Sequence, residues 1–278
     1  MRLFKRWLYL PALLFMFFIT SDNLSHAQKP TPHFSRHTLD FEGHTFVGYS
    51  GEDLRTDTVG VARRPLVVFV HGTPGDWKAW EKYLKDSALV QHFRMLAIDR
   101  PGFGESDSMH VYTSLEMQAR VVHEWVRKFA AGQAVVIVGH SYGGPVAARY
   151  GIDFPDEAKN IVLLAPAVCA QKEKPRWYNQ IARIGFVNKH LGQPMRITNQ
   201  EMMALPPQLE AMEPHWGLIR AHVWLFHGKM DMIAPYGNAI FVQKHIAPAQ
   251  LTFTSFPYEN HFIPWTRFKE IRATLLGL

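Results

Sequence analysis

The chain is poor in cysteine: one thiol, Cys169, in 278 residues. That excludes a disulfide scaffold and any cysteine-rich zinc module, and leaves Cys169 as a small core residue. Long apolar runs are equally scarce. Only the N-terminus carries one, so this is not a multi-span membrane protein. Histidine is plentiful at 15 residues, but it falls at no metal-ligand spacing. His33 and His37 lie in or just before a strand, where such a separation holds them far apart, and no zinc site is expected. No Lys/Arg cluster interleaves with aromatics as a nucleic-acid face would, and the net charge of +6 is only mildly basic. The densest basic stretch, 172–176, contains Glu173 and Pro175 and reads as a solvated loop. Gly102–Phe103–Gly104–Glu105 lacks the third glycine and the following lysine of a phosphate loop, so no nucleotide cofactor is expected. Internal repeats and Ser/Gly-rich linkers are also missing. What remains is an ordinary globular composition, 47% hydrophobic and 19% charged, with length for one large domain.

The N-terminal run has a basic start (Arg2, Lys5, Arg6), an apolar stretch from Trp7 to Thr20 broken by Pro11, and a polar end at Ser21–Asp22–Asn23. A bilayer span takes about 20 residues, more than this stretch offers. Ser25–His26–Ala27 before Gln28 resembles an A-x-A cleavage site. Residues 1–27 are therefore expected to be a secretory signal, with an uncleaved anchor as the alternative. The mature protein would be exported, periplasmic or secreted, and would touch a membrane only if the segment were retained. No cysteine directly follows the apolar stretch, which excludes a bacterial lipoprotein.

Beyond a loose leader, Phe34–Phe41 and His44–Tyr49 read as a hairpin turning at Glu42–Gly43. Continuous apolar runs follow at Leu66–Val70, Phe93–Ile98, Ala134–Val138, Ile161–Leu164, His222–Phe226 and Gln250–Phe256. Amphipathic stretches lie between them: Trp77–Leu89, Ser114–Ala130, Gly144–Phe154, Gly237–His245 and Trp265–Leu275. In Ser114–Ala130, Met117, Val121, Val122, Trp125 and Phe129 recur at helical steps. Apolar strands alternating with helices predict an α/β fold over residues 28–278: a mostly parallel sheet with helices on both faces. Residues 168–220 interrupt the alternation. An insertion there is placed to sit as a helical lid over the carboxyl edge of the sheet, where open α/β folds bind ligands.

The sharpest local signal is Gly139–His140–Ser141–Tyr142–Gly143–Gly144, directly after a strand and before a helix. In G-x-S-x-G the glycines remove side chains that would clash across a tight strand-to-helix turn, and the turn lifts the serine hydroxyl toward a helix N-terminus. An alcohol needs a base and an orienting carboxylate to become a nucleophile. Asp231, in the polar turn His227–Pro235, and His261, in Glu259–Asn260–His261–Phe262, follow in that chain order, each just past a strand. Glu259 would have to fold back to compete with Asp231. The backbone N–H groups of Tyr142 and Thr73 are candidate oxyanion donors, since Pro74 in His71–Gly72–Thr73–Pro74–Gly75 has none. His71 and Gly72 are expected to shape that loop. Asp99 and the glycines of 99–107 are expected to be structural, with Arg100 or Phe103 the residues there that a site would use.

These five motifs, in this order across roughly residues 34–278, resemble the α/β-hydrolase superfamily, and within it the single-domain serine esterase, epoxide-hydrolase-like and haloperoxidase-like branch. The resemblance implies Ser141 as nucleophile, His261 as base, Asp231 as acid, and Thr73 and Tyr142 as the oxyanion hole. It implies no cofactor or metal and a small-molecule ester-type substrate. Epoxide hydrolases and haloalkane dehalogenases of that superfamily carry aspartate where this chain has Ser141, which argues against their chemistry. The expected activity is serine hydrolysis of carboxylic esters, or of thioesters or amides. Acyl transfer and cofactor-free perhydrolysis use the same apparatus. A prolyl-aminopeptidase-like activity would need Glu201, Glu210 or Glu213 to meet a free amine, and a hydrolase-shaped binding protein would need no turnover. In the insertion, Trp177, Tyr178, Met203 and Trp216 are candidate substrate contacts. The alternative is that they pack the insertion onto the domain.

Overall fold

The computed structural model describes residues 34–51, 54, 64–107, 109–175 and 177–278; the expected leader, residues 1–27, lies outside them. Among the described residues, eight strands form one sheet in the order β1-β2-β4-β3-β5-β6-β7-β8. They are β1 (Ser35–Phe41), β2 (His44–Ser50), β3 (Leu66–Val70), β4 (Arg94–Ile98), β5 (Val135–His140), β6 (Ala158–Leu164), β7 (His222–Gly228) and β8 (Leu251–Phe256). The expected hairpin pairs antiparallel from Ser35↔Ser50 to Phe41↔His44, and β2 meets β4 antiparallel. Every pairing from β4 to β8 is parallel.

Period-two alternation along the buried strands divides their side chains between two cores. In β3, Leu66, Val68 and Val70 face one core and Val67 and Phe69 the other; in β6, Ile161 and Leu163 oppose Val162 and Leu164. Both faces are therefore apolar, which is why the strands read as unbroken hydrophobic runs. Leu115–Phe129 and Gly143–Asp153 cover the first face. The longer of these helices begins where Ser114 Oγ accepts the Met117 N–H at 3.2 Å, and ends with Arg127 and Lys128 at its negative pole. Glu81–Leu84, Ser87–His92 and Phe268–Leu276 cover the second.

Two expected helices are broken. Trp77–Leu89 is a 3₁₀ turn (Trp77–Trp80) followed by Glu81–Leu84 and Ser87–His92, because Asp86 Oδ1 accepts the Leu89 N–H at 3.0 Å and restarts the helix as a cap. Trp265–Leu275 divides at Arg267 into Ile263–Thr266 and Phe268–Leu276. Between β6 and β7 the chain runs through Trp177–Ala182, Gly185–His190, the long helix Gln193–Met212 and a 3₁₀ turn, Glu213–Leu218.

The strand order reverses at β3: the chain passes to β4 on one side and returns to β5 on the other. The carboxyl ends of β3 and β5 flank that switch, the place where open α/β sheets leave a crevice. The loops leaving those two strands are 71–75 and 140–144.

Candidate active site

Ser141 leaves β5 with a left-handed φ of 53°. A non-glycine residue held there costs on the order of 1–3 kcal/mol and persists only when its surroundings over-determine it. They do here. The Ser141 N–H donates to Leu164 O at 3.1 Å, and its carbonyl accepts from Gly144 N at 2.9 Å and Ala167 N at 3.1 Å. Gly143 permits the turn, since a Cβ there would meet Val70 O at 2.2 Å. The helix Gly143–Asp153 starts directly behind the hydroxyl, so its positive pole favours negative charge at that point.

Asp231 and His261 come together. His261 Nδ1 lies 2.7 Å from Asp231 Oδ2, and the residues are 5% and 4% exposed. Asp231 Oδ1 accepts the N–H groups of Ile233 at 2.8 Å and Ala234 at 2.9 Å. His227, fully buried, stands on the other side with Nε2 3.5 Å from Oδ2; Nε2 also pairs with Ala234 O at 2.9 Å, which makes it the protonated nitrogen. Burial works against the Asp231 charge, yet His227 and His261 hold the carboxyl well below the usual range. With Asp231 ionised, Nδ1 of His261 carries the proton and Nε2 is left basic. Gly228 makes the approach feasible: a Cβ there would sit 2.3 Å from Glu259 O and 2.6 Å from Asn260 O, driving off the loop that carries His261. Glu259 is occupied elsewhere, by Arg267 at 2.7 Å and Thr266 Oγ1 at 2.8 Å.

His140 joins the two halves. Its Nε2 pairs with the carbonyl of His261 at 3.1 Å, and the two rings lie 4.8 Å apart. Burial, reinforced by His261, pushes the His140 imidazole down to about 3, so it stays neutral and donates that hydrogen bond. Ser141 and His261 thus occupy one edge of the sheet. Among the described residues no hydrogen bond joins Ser141 Oγ to His261; such contacts are often open in the free state and tighten around a substrate.

The expected oxyanion donors, the N–H groups of Thr73 and Tyr142, have no hydrogen-bond acceptor among the described residues. The loop carrying Thr73 is stiffly held. Buried His71 donates Nδ1–H to Gly72 O at 2.7 Å and accepts the Arg100 N–H on Nε2 at 3.0 Å. Burial and the Arg100 charge keep this ring neutral.

Arg100 takes the structural role expected of its segment. Neither it nor Phe103 lines a site; both are buried at 0–1% exposure. The guanidinium spends all its N–H groups internally. Nε donates to His71 O at 2.9 Å, NH1 to Gln118 Oε1 at 2.8 Å and Glu201 Oε1 at 2.6 Å, and NH2 to Gly72 O at 3.0 Å and Glu201 Oε2 at 3.2 Å. Its faces meet the rings of Phe103 and Tyr142, each 4.7 Å away. Sequence reasoning missed this network because the pairing joins residues 101 apart; the one local sign was a carboxylate at an inward position of an otherwise apolar helix face. Glu201 is therefore unavailable to a substrate amine. Glu213 pairs with His245 at 3.2 Å, and Glu210 is exposed.

The insertion reaches the loop where Thr198 Oγ1 lies 2.9 Å from Thr73 Oγ1. Of the expected substrate contacts, Trp216 belongs elsewhere: it is 1% exposed and packs edge-on to Phe241 in the main core, because the 3₁₀ turn that carries it docks its apolar face onto the domain. Trp177 points outward at 65% exposure. Met203 is half-buried along a groove with Thr113, Asn199 and Ala204. The side chain of Tyr178 lies outside the described set.

A family model described as the alpha/beta hydrolase fold matches residues 65–212, and the chain belongs to that family. The matched span contains Thr73, Ser141 and Tyr142. Epoxide hydrolase B of Mycobacterium tuberculosis is 34% identical over 100 residues, covering 35% of this chain and 28% of the relative. The pimeloyl-[acyl-carrier protein] methyl ester esterase of Nitrosomonas europaea is 22% identical over 242 residues, 74% of this chain and 92% of the esterase. The chain spans only 26% to 34% of the length of three of its other curated relatives. Among solved structures, the monoacylglycerol lipase of Paleococcus ferrophilus superposes with a TM-score of 0.65 at 20% identity, covering 88% of this chain and 99% of the lipase. That likeness is one of fold.

Proposed function

We propose that this α/β hydrolase is a serine hydrolase of carboxylic esters working through an acyl-enzyme. Ser141 attacks the ester carbonyl and His261 Nε2 takes its proton. The N–H groups of Thr73 and Tyr142 receive the oxyanion, each such donor supplying on the order of 3 kcal/mol in other hydrolases. The proton then passes from His261 to the departing alkoxide. Water, deprotonated by the same nitrogen, releases the acid. Asp231 keeps Nδ1 protonated and stabilises the imidazolium. The observation that carries the reading is the buried 2.7 Å Asp231–His261 pair at the edge where a strained serine opens a helix. The match to a methyl ester esterase, over 74% of this chain and 92% of that protein, supports it. The presence of an alcohol rather than a carboxylate at position 141 sets it apart from epoxide hydrolysis. In the test, the protein is offered p-nitrophenyl esters and a fluorophosphonate probe beside Ser141→Ala. Loss of labelling and turnover in the variant is expected, and unchanged turnover would refute the assignment.

Acyl transfer is a second reading, favoured by the burial of Ser141 at 8% exposure, which limits water at the acyl-enzyme. Adding an alcohol or amine and measuring the ratio of transfer product to acid separates the two. The internal pairing of Glu201 disfavours a peptidase that recognises a free amine. Export through residues 1–27 is part of the proposal, tested by N-terminal sequencing of the protein recovered outside the cytoplasm.

A further inference from the structure

Outside the Ser141 region, a second set of donor side chains converges where the β1–β2 hairpin meets the loop after β4. Asp107 Oδ2 is approached by His44 Nδ1 at 2.6 Å, His110 Nδ1 at 2.9 Å and the Tyr112 hydroxyl at 3.0 Å, while Oδ1 accepts the Met109 N–H at 2.9 Å. The backbone presets the approach: Asp107 N–H donates to Thr45 O at 2.9 Å, beside His44, and Asp107 O accepts from Gly102 N at 3.0 Å.

We propose that His44, Asp107 and His110 form a binding site for Zn²⁺. One ligand atom from each lies within 4.8 Å of the other two. Two imidazoles and a carboxylate are a borderline donor set that suits zinc and its first-row neighbours, whereas Mg²⁺ and Ca²⁺ demand oxygen. Zinc takes such ligands at about 2.0–2.1 Å, which places tetrahedral ligands about 3.3 Å apart. The contacts at 2.6 and 2.9 Å therefore open by about 0.7 and 0.4 Å as each imidazole moves its proton from Nδ1 to Nε2. Water completes the shell from a groove of about 530 Å³ lined by Gly43, Thr45, Glu105, Ser106 and Met109. Tyr112 remains as the hydrogen-bond partner that orients the carboxylate, as outer groups do at metal centres. Residues 63 apart in sequence would be tied together by the ion, clipping the hairpin to the loop.

The test is calorimetric titration of the full chain with zinc chloride at pH 7.5, alongside His44→Gln, His110→Gln and the control His92→Gln, whose ring only bonds its own helix. The expected result is one equivalent bound at micromolar Kd, weakened at least tenfold in His44→Gln and in His110→Gln and unchanged in the control. The His110 side chain is 60% exposed, so its replacement leaves the core intact. Cobalt in place of zinc should give the intense visible absorption of a four-coordinate site, absent from both cluster variants. Saturating zinc at about 100 times Kd should raise Tm by roughly 5 °C. No saturable binding in the parent, or binding and cobalt absorption that persist in the variants, would overturn the assignment and leave a hydrogen-bonded clip.

Discussion

Glu201→Ala is the substitution whose consequence the structure prices most directly. The Glu201 carboxylate is fully buried and accepts from Arg100 NH1 and NH2 and from Gln118 Nε2 at 3.0 Å. Removing it leaves a guanidinium in the interior with a net charge and two idle donors. Breaking a buried pair by deleting one partner costs about 3–5 kcal/mol, and the lost Gln118 bond adds about 1 kcal/mol. A sum near 5 kcal/mol is a large part of the 5–15 kcal/mol typical of a whole domain. At roughly 2–4 °C per kcal/mol for a chain of this size, Tm should fall by about 10–20 °C. Removing both charges is expected to do less harm: Arg100→Met with Glu201→Leu leaves no uncompensated ion, and should lie above Glu201→Ala in stability. Arg100 also holds the carbonyls of His71 and Gly72, so the folded fraction of Glu201→Ala should hydrolyse esters with lower kcat at nearly unchanged KM. Urea and thermal melts with steady-state kinetics read both effects. A loss below about 1 kcal/mol, or a double variant less stable than the single, would refute the account of this ion pair.

Ser141→Gly should abolish turnover while stabilising the fold by about 1 kcal/mol, because glycine relieves the left-handed backbone at φ 53°; a lower urea midpoint would contradict that. Gly228→Ala must push back the loop bearing His261, whose neighbouring carbonyls lie 2.3 and 2.6 Å from the new Cβ, and kcat should drop at least tenfold with the fold retained by circular dichroism. Asp231 titrates below its ordinary value of 3.8, so the unfolded chain binds its proton first as pH falls. Its stabilisation is complete above about pH 4 and is lost as acid takes the pH through the depressed native value. The stability gap between the parent and Asp231→Asn should accordingly shrink below pH 4 in urea melts. Trp216→Ala should cost about 3–5 kcal/mol as a core deletion without altering the preference among acyl chain lengths in an ester series.

The strands and the order of Ser141, Asp231 and His261 were legible because each rests on local chemistry: unbroken β-branched runs, a glycine-flanked elbow, polar turns after strands. The break at Asp86 was not, since helical periodicity records which face is apolar and does not register a side chain capping the next turn. Trp216 was misplaced for a related reason: an aromatic in an insertion carries no sign of which way its turn docks. Arg100 with Glu201, and His44 with Asp107, escaped because their meaning exists only once distant segments meet. Read alone, each is an unremarkable charge or turn residue.

The positions of Ser141, Asp231 and His261 follow from sheet register more than from their loops. Hydrogen bonding continues past the strand ends: Ser141 N donates to Leu164 O at the end of β6, and Ala165 N to Phe226 O in β7. Lys229 N then donates to Phe256 O at the end of β8, and Met230 N to Glu259 O. The first three extend the parallel ladder, with the pairings Leu164↔Phe226 and Gly228↔Phe256 immediately beneath, and the last ties the two loops together beyond it. A slip of one residue in β7 would turn inward side chains outward and carry Asp231 away from His261 by about 3.3 Å, beyond hydrogen-bond reach. The apolar packing that fixes register on both sheet faces is therefore also what sets the distance between the carboxylate and the imidazole.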